Sequence, residues 1–223
     1  MKLFSKFTLY ELILLICSPI IILSLGIYFK NDFLTIITSL VGIISAFFLA
    51  RGSIFGQMFS IGNACLYSTL SYRNAYYGET ITYLFMLLPI RIWGLIAWKK
   101  NQSEKTDAVK VNSIKLKEWV LFFTSLVILF IGFYFLLKVL NTSQIIVSTL
   151  SVVVNIASAY LLSRRSKYAF LSYIIIDVLL ILLWGIPIIQ GNLLVIAMLA
   201  NPLINLINDA YGLISWSKHE KVQ

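Results

Sequence analysis

A chain of 223 residues that is 60% apolar and only 12% charged cannot cover its hydrophobic surface as a water-soluble domain, for which about a quarter of the residues would carry charge. The net charge of +9 does not indicate a nucleic-acid partner either, because the cations lie in the connections between apolar runs rather than on one face. What remains is an all-α integral membrane protein.

Roughly 20 apolar residues cross the hydrocarbon core as a helix. On that measure eight spans are expected, near 8–29, 33–50, 54–72, 79–98, 118–138, 144–162, 168–187 and 192–216. The first is too long for a signal-peptide core and has no small-residue cleavage pattern, so it reads as a retained helix. The second is short and ends in a tight Arg51-Gly52-Ser53 loop. Span four is followed by a polar, basic linker, Lys99 to Lys117. Cys17 and Cys65 fall within apolar segments and read as packing residues, not a disulfide. His219 stands alone in the C-terminal tail, so no histidine metal site is expected in the membrane, and no cofactor.

The cations choose a face. Lys2, Lys6, Arg51, Lys99, Lys100, Lys105, Lys110, Lys115, Lys117, Arg164, Arg165, Lys167, Lys218 and Lys221 share one side with both termini; Lys30, Arg73 and Lys138 occupy the other. The positive-inside rule puts the crowded side, and both termini, in the cytoplasm of a bacterial inner membrane. Arg91 is left within span four.

The chain also repeats itself. Ser45, Ala46, Leu49, Arg51 and Ser53 recur at one offset as Ser158, Ala159, Leu162, Arg164 and Ser166, and Gly94-Leu-Ile-Ala-Trp98 returns as Gly212-Leu-Ile-Ser-Trp216. Spans two to four then match spans six to eight, both copies crossing in the same direction. The expected core is three helices, a linker helix and three more, related by an axis along the membrane normal, as in transporters with parallel repeats. The corresponding divisions are an extra N-terminal helix (1–32), a first repeat (33–98), the basic loop with linker helix (99–143), and a second repeat with a short tail (144–223).

Polar side chains within spans are expensive and face protein or water. Span eight presents Asn201, Asn205, Asn208 and Asp209 at spacings of three or four, on one helical face, with Tyr211 just beyond. A row of three amides and a carboxylate suits the hydroxyls and ring nitrogens of a polar solute. The competing use is hydrogen bonding between helices. Arg91 and Asp209 occupy equivalent repeat positions, each seven residues before a tryptophan, and are expected to pair. Asp177 lies two turns before Trp184 in span seven, where it could accept from a solute hydroxyl or be held by Asn63 or Tyr67. Tyr83, Trp93, Trp184 and Tyr211 are candidate stacking surfaces. Trp98 and Trp216, at span ends beside lysines, read as interfacial anchors. There is no phosphate-binding Gly-Lys-Ser loop, nucleophile elbow or paired set of metal ligands, so a membrane enzyme or sensor is the lesser hypothesis.

The run Asn205-Leu-Ile-Asn208-Asp209-Ala-Tyr211-Gly212-Leu-Ile-Ser-Trp216, Asp177 with Trp184, and Tyr77-Gly78-Glu79 followed by Pro89 and Gly94-x3-Trp98 resemble the PnuC family of bacterial vitamin transporters. The resemblance extends from about Leu40 to Lys221. It implies the three-plus-one-plus-three fold, like a full-length SWEET transporter with a different helix order in each half. It also implies facilitated diffusion of a nucleoside such as nicotinamide riboside, trapped by a cytoplasmic kinase, with membrane lipid around the protein and a homo-oligomer left open. Tyr83 and Arg91 stand where similar proteins tend to have Asn and Gln, and Leu180 where Asn is common. A deoxynucleoside or thiamine fits such a reshaped pocket equally well.

Overall fold

The computed structural model describes residues 7–73, 77–102, 108–140, 144–190 and 199–222. It is built from α1 (Leu9–Tyr28), α2 (Phe33–Ala50), α3 (Ile54–Arg73), α4 (Tyr77–Ile81), a π-helical turn (Thr82–Leu87), α5 (Leu88–Lys100), α6 (Leu116–Val139), α7 (Ile145–Ser163), α8 (Tyr168–Ile189) and α9 (Ala200–Val222). The short α4, the π-turn and α5 run on as one rod, so the described residues form eight rods. Five of these are long and apolar enough to cross a membrane on composition alone: Leu9–Tyr28, Phe33–Ala50, Glu79–Lys100, Leu116–Val139 and Ile145–Ser163. α3 and α9 have similar lengths, but their polar residues lower their hydropathy. Part of the expected eighth span, 192–198, lies outside the described residues.

Local chemistry accounts for the ends. Thr8 caps α1 in a reciprocal box with Glu11, and the Asp32 carboxylate caps α2 through Thr35, which satisfies N–H groups that a helix start leaves open. The hydrogen bonds from Thr35 hold the Asp32 carboxyl below the usual carboxylate range. Within the fourth rod, Pro89 has no N–H and crowds the carbonyl one turn earlier. The chain absorbs this by widening, and Leu88 N–H reaches back five residues to Tyr83 O.

The two halves interlock reciprocally. Trp98 Nε1 donates to Leu162 O at 2.9 Å, and Trp216 Nε1 donates to Leu49 O at 3.2 Å. Each tryptophan thus reaches from its own half to the equivalent carbonyl of the other. Their rings lie 5.5 Å apart, and both are fully buried at 0% and 1% exposure. They form the core with Leu49, Ala50, Leu161, Leu162 and Phe170, and are not interfacial anchors. The carbonyls in the last turns of α2 and α7 need acceptable donors, and the buried indole N–H groups need acceptors, so each solves the other's problem.

The loops after α2 and α7 are also copies. Gly52 and Arg165 hold the same left-handed φ, +71° and +60°, and Ser53 and Ser166 each donate N–H to the equivalent Phe48 or Leu161 carbonyl at 2.9 Å. The linker crosses both loops: Val109 N–H bonds to Gly52 O and Asn112 N–H to Arg165 O, each at 2.9 Å.

Arg51 and Arg164, the repeated arginines, each meet a glutamate from the first turn of a flanking helix. Glu11 of α1 accepts from Arg51 Nε at 2.9 Å, and Glu118 of α6 accepts from Arg164 Nη2 at 2.6 Å. The Glu118 carboxylate holds the Arg164 guanidinium above its ordinary pKa, chiefly by hydrogen bonding. The first span is thus tied to the loop after α2. It packs on α2 as α6 packs on α7, and it carries the matching carboxylate. Elsewhere on α6, Val120, Leu121, Phe123, Val127, Ile128, Ile131 and Phe135 are exposed, as a lipid-facing helix requires. Cys17 and Cys65 are unbridged and exposed rather than packed inside.

Candidate substrate-binding site

The interior polar residues come from α3, the π-turn with α5, α7, α8 and α9. Where α8 packs on α9, Asp177 and Asp209 are buried at 2% and 6% exposure. Asn208 is also buried, and neither of its polar atoms has a hydrogen-bond partner among the described residues. Asp177 Oδ2 and Asn201 Oδ1, further along the same surface, likewise have no donor among the described residues. A buried polar atom left unpaired costs about 1–3 kcal/mol. Several of them on one helix pair make a surface matched to the hydroxyls and amides of a polar solute.

A second cluster, aromatic and cationic, joins α3, the π-turn, α5 and α7. The Tyr67 and Tyr83 rings are 4.2 Å apart, and Asn155 Nδ2 donates to Tyr83 Oη at 3.4 Å. The Arg91 guanidinium stands 5.9 Å from the Tyr83 ring centre. Tyr173, one turn before Asp177 on α8, packs against Phe170 with ring centres 6.3 Å apart and borders the core of the paired tryptophans.

The expected Arg91–Asp209 pair is not made. Arg91 Nη1 donates instead to Ser60 O on α3 at 2.6 Å. The main packing partners of α5 are α3 and α7, so a free lone pair on an α3 carbonyl is nearer than a carboxylate on α9. Asn63 is occupied too: its Nδ2 donates to Thr38 O at 2.9 Å and ties α3 to α2. It does not hold Asp177. Tyr211 turns away from the site, its hydroxyl donating to Glu11 Oε1 at 2.7 Å and its ring lying 5.2 Å from Tyr10. Asn205 lines a crevice with Leu14, Ser18, Ile43 and Asn208, facing α1 and α2. Trp93 stacks on Tyr160 at 6.0 Å and is 42% exposed, on the outer side. The side chain of Trp184 lies outside the described residues.

Sequence reasoning missed Tyr173, Asn155 and Gln57. Tyr173 was accessible, since it sits one turn before Asp177 on the same face. Gln57 is fully buried, with Nε2 unpartnered among the described residues, and nothing in its place near the start of α3 marks it in the sequence. No group of three or more His, Cys, Asp or Glu side chains is placed to hold a metal among the described residues.

Rods of membrane-crossing length closed around a buried amide and carboxyl surface define a multi-pass membrane transporter. Residues 32–218 match the model of the Nicotinamide mononucleotide transporter family, and the chain belongs to that family. It is 24% identical over 221 residues to the nicotinamide riboside transporter PnuC of Neisseria mucosa, covering 97% of this chain and 84% of the relative. The PnuC of Haemophilus influenzae is 24% identical over 193 residues, covering 84% of this chain and 80% of that protein. A crystal structure of the vitamin B3 transporter PnuC superposes with a TM-score of 0.82 at 24% identity, covering 99% of this chain and 95% of the other, and is similar in fold. Membership of this family makes the chain a transporter rather than an enzyme.

Proposed function

We propose that this protein carries nicotinamide riboside, or a closely related nucleoside, into the cell by facilitated diffusion, and that a cytoplasmic kinase traps the solute by phosphorylation. In this reading both termini and the cation-rich end face the cytoplasm. The core is a three-plus-one-plus-three parallel repeat, with α1 and α6 as matching flanking helices. The observation that carries the proposal is the polar surface of α8 and α9, where Asp177 Oδ2, Asn201 Oδ1 and both polar atoms of the Asn208 amide are buried without a partner among the described residues and can offer a ribose and a carboxamide their hydrogen bonds. Membership of the Nicotinamide mononucleotide transporter family and the likeness to two nicotinamide riboside transporters support this solute class.

The same charges favour the riboside over its phosphate ester. A phosphate dianion would lie beside two carboxyl groups with Arg91 alone to offset it, and an uncompensated buried charge is strongly unfavourable. Purified protein in liposomes tests the whole reading. Nicotinamide riboside should equilibrate across the membrane with no imposed ion gradient, and should accumulate only when the lumen holds a nucleoside kinase and ATP. Uptake that required a sodium gradient, or mononucleotide bound more tightly than riboside, would overturn it. Competition by a deoxynucleoside and by thiamine in the same assay ranks the related solutes.

A further inference from the structure

Helix α6 leans on one neighbour. It packs chiefly on α7, has no buried residue, and makes little contact with α5. Between it and the α5–α7 pair lies a cavity of about 190 Å³. Leu121, Phe122, Leu126 and Leu129 of α6 line one wall, and Ile90 of α5 and Ile156 of α7 line the other. Leu121 is 68% exposed, so the cavity opens sideways onto the outer surface of the rods. From Glu118 to Leu129 it follows α6 for eleven positions. That is about 16 Å, close to one leaflet of a hydrocarbon core about 30 Å thick. The space is more than ten times what one water needs. Its walls are apolar apart from Glu118, Ser125 and Tyr160, and the Ser125 hydroxyl already donates to Leu121 O at 2.8 Å.

Polarity is concentrated at the cation-rich end. There Tyr160 Oη donates to Glu118 Oε1 at 2.9 Å and Arg164 Nη2 to Glu118 Oε2 at 2.6 Å, so the carboxylate is both neutralised and satisfied. Lys115 and Lys117 bracket the start of α6, and Arg165 follows Arg164. None of these three cations has a carboxylate partner among the described residues.

The other half of the chain shows what closes such a gap. By the offsets of the two sequence echoes, Ile43, Ile44 and Phe47 correspond to Ile156, Ala157 and Tyr160, Asn208 to Ile90, and Tyr211 to Trp93. The crevice that Ile43, Ile44, Phe47 and Asn208 line with α1 measures only about 10 Å³, hardly room for one water. There α1 also reaches α9, to which Tyr211 binds it through Glu11. Trp93 makes no such bond to Glu118. Its ring stacks on Tyr160 with centres 6.0 Å apart, and Tyr160 of α7 takes the carboxylate. α6 is therefore pinned to α7, and the gap beside α5 stays open.

We infer that this groove binds an anionic phospholipid, with one acyl chain along α6 between α5 and α7 and the phosphate beside Lys115, Lys117 and Arg165. An apolar slot one leaflet deep, open to the side and ending at unpaired cations, matches both ends of such a molecule. A soluble anion would match the cations alone, and a neutral lipid the slot alone. The chain supplies the contacts that a gap in the packing would forfeit. The bound lipid also joins α6 to α5, which the side chains themselves barely do.

Thermal unfolding of the full-length protein in detergent, with added phosphatidylglycerol or phosphatidylcholine of identical chains, tests this. A ligand of the folded state raises Tm with its concentration. Phosphatidylglycerol should raise Tm saturably, with its half-maximal effect at a concentration at least about tenfold below that of phosphatidylcholine. Lys115→Gln combined with Lys117→Gln should bring the two lipids within about threefold of each other. Ala157 lines the groove at 4% exposure, so Ala157→Phe puts a ring where the chain lies and should abolish the phosphatidylglycerol effect. Leu121→Trp, at the exposed mouth, is the second blocking variant if Ala157→Phe does not fold. Equal half-maximal concentrations for the two lipids in the wild type would overturn the anionic headgroup. A phosphatidylglycerol effect that survives the blocking variants, or that glycerol phosphate alone reproduces, would overturn the groove. So would blocking variants that split an oligomer and leave the lipid effect in place, since the groove would then seat a second copy of this chain.

Discussion

Replacing Glu11 by Gln tests the clasp that joins α1 to both halves. The carboxylate is 4% exposed and serves four donors: Tyr211 Oη at 2.7 Å, Arg51 Nε at 2.9 Å, and Thr8 through its N–H at 2.8 Å and its hydroxyl at 3.0 Å. An amide keeps one oxygen but turns an NH₂ group toward donors, so at least one charge-assisted hydrogen bond is lost. Such bonds contribute about 1.5–3 kcal/mol. The Arg51 side chain is 25% exposed, so water takes over part of its role, and about 1–2 kcal/mol is the working figure. For a chain of this length that corresponds to a fall in Tm of roughly 2–8 °C, read by thermal unfolding in detergent. Tyr211→Phe should give a smaller fall, and the double variant less than the sum, with a coupling of at least about 0.5 kcal/mol. An unchanged Tm for Glu11→Gln, or strictly additive losses, would refute the clasp. A marked rise in nucleoside Kd for Tyr211→Phe would return that residue to the substrate site.

Three further outcomes follow from the geometry. A Cβ on Gly212 would lie 2.4 Å from Phe170 Cδ1, in the core beneath the paired tryptophans, so Gly212→Ala should cost about 1–3 kcal/mol as overpacking, read as a lower Tm. Asn63→Ala should cost about 1 kcal/mol by removing the bond to Thr38 O while leaving nucleoside affinity in calorimetry unchanged. The Asp32 carboxyl is held below its usual range by Thr35, so its contribution is present above the unfolded value of about 3.9 and is lost as pH falls through the folded value. Tm should therefore fall more steeply in the wild type than in Asp32→Asn on acidification from about pH 6 to about pH 3.

The spans were legible because lipid leaves the chain little choice: a 20-residue apolar run is a helix or it is nothing. The matching loops and tryptophans were legible because Arg-x-Ser and Gly-Leu-Ile-x-Trp each occur twice along the chain. Asp177, Asn208 and Asp209 stood out for the same reason, since each is costly in a membrane unless it has a task. Partner choice was not legible. Arg91 found a backbone carbonyl on α3, and carbonyls leave no trace in a sequence. Trp98 and Trp216 looked like interfacial anchors because composition records that they stand beside lysines, and not that each indole faces a carbonyl of the other half. Nothing in the sequence ties Glu11 to Arg51 or Glu118 to Arg164, because the two separations along the chain differ and only the packed helices bring each pair together. The π-turn at Thr82–Leu87 depends on how the chain resolves one proline, which propensity does not foretell.

The linker sets a mechanical limit on any rocking of the halves. Val109 and Asn112 hold Gly52 O and Arg165 O by bonds of 2.9 Å each, and the two grips are only three positions apart along the chain. Three residues reach about 10 Å when fully stretched, so with its two end bonds the tether lets these carbonyls stand no more than about 16 Å apart. A cycle that parts the loops further has to release one grip first. Otherwise this end behaves as the pivot, and the wider swing belongs to the opposite mouth.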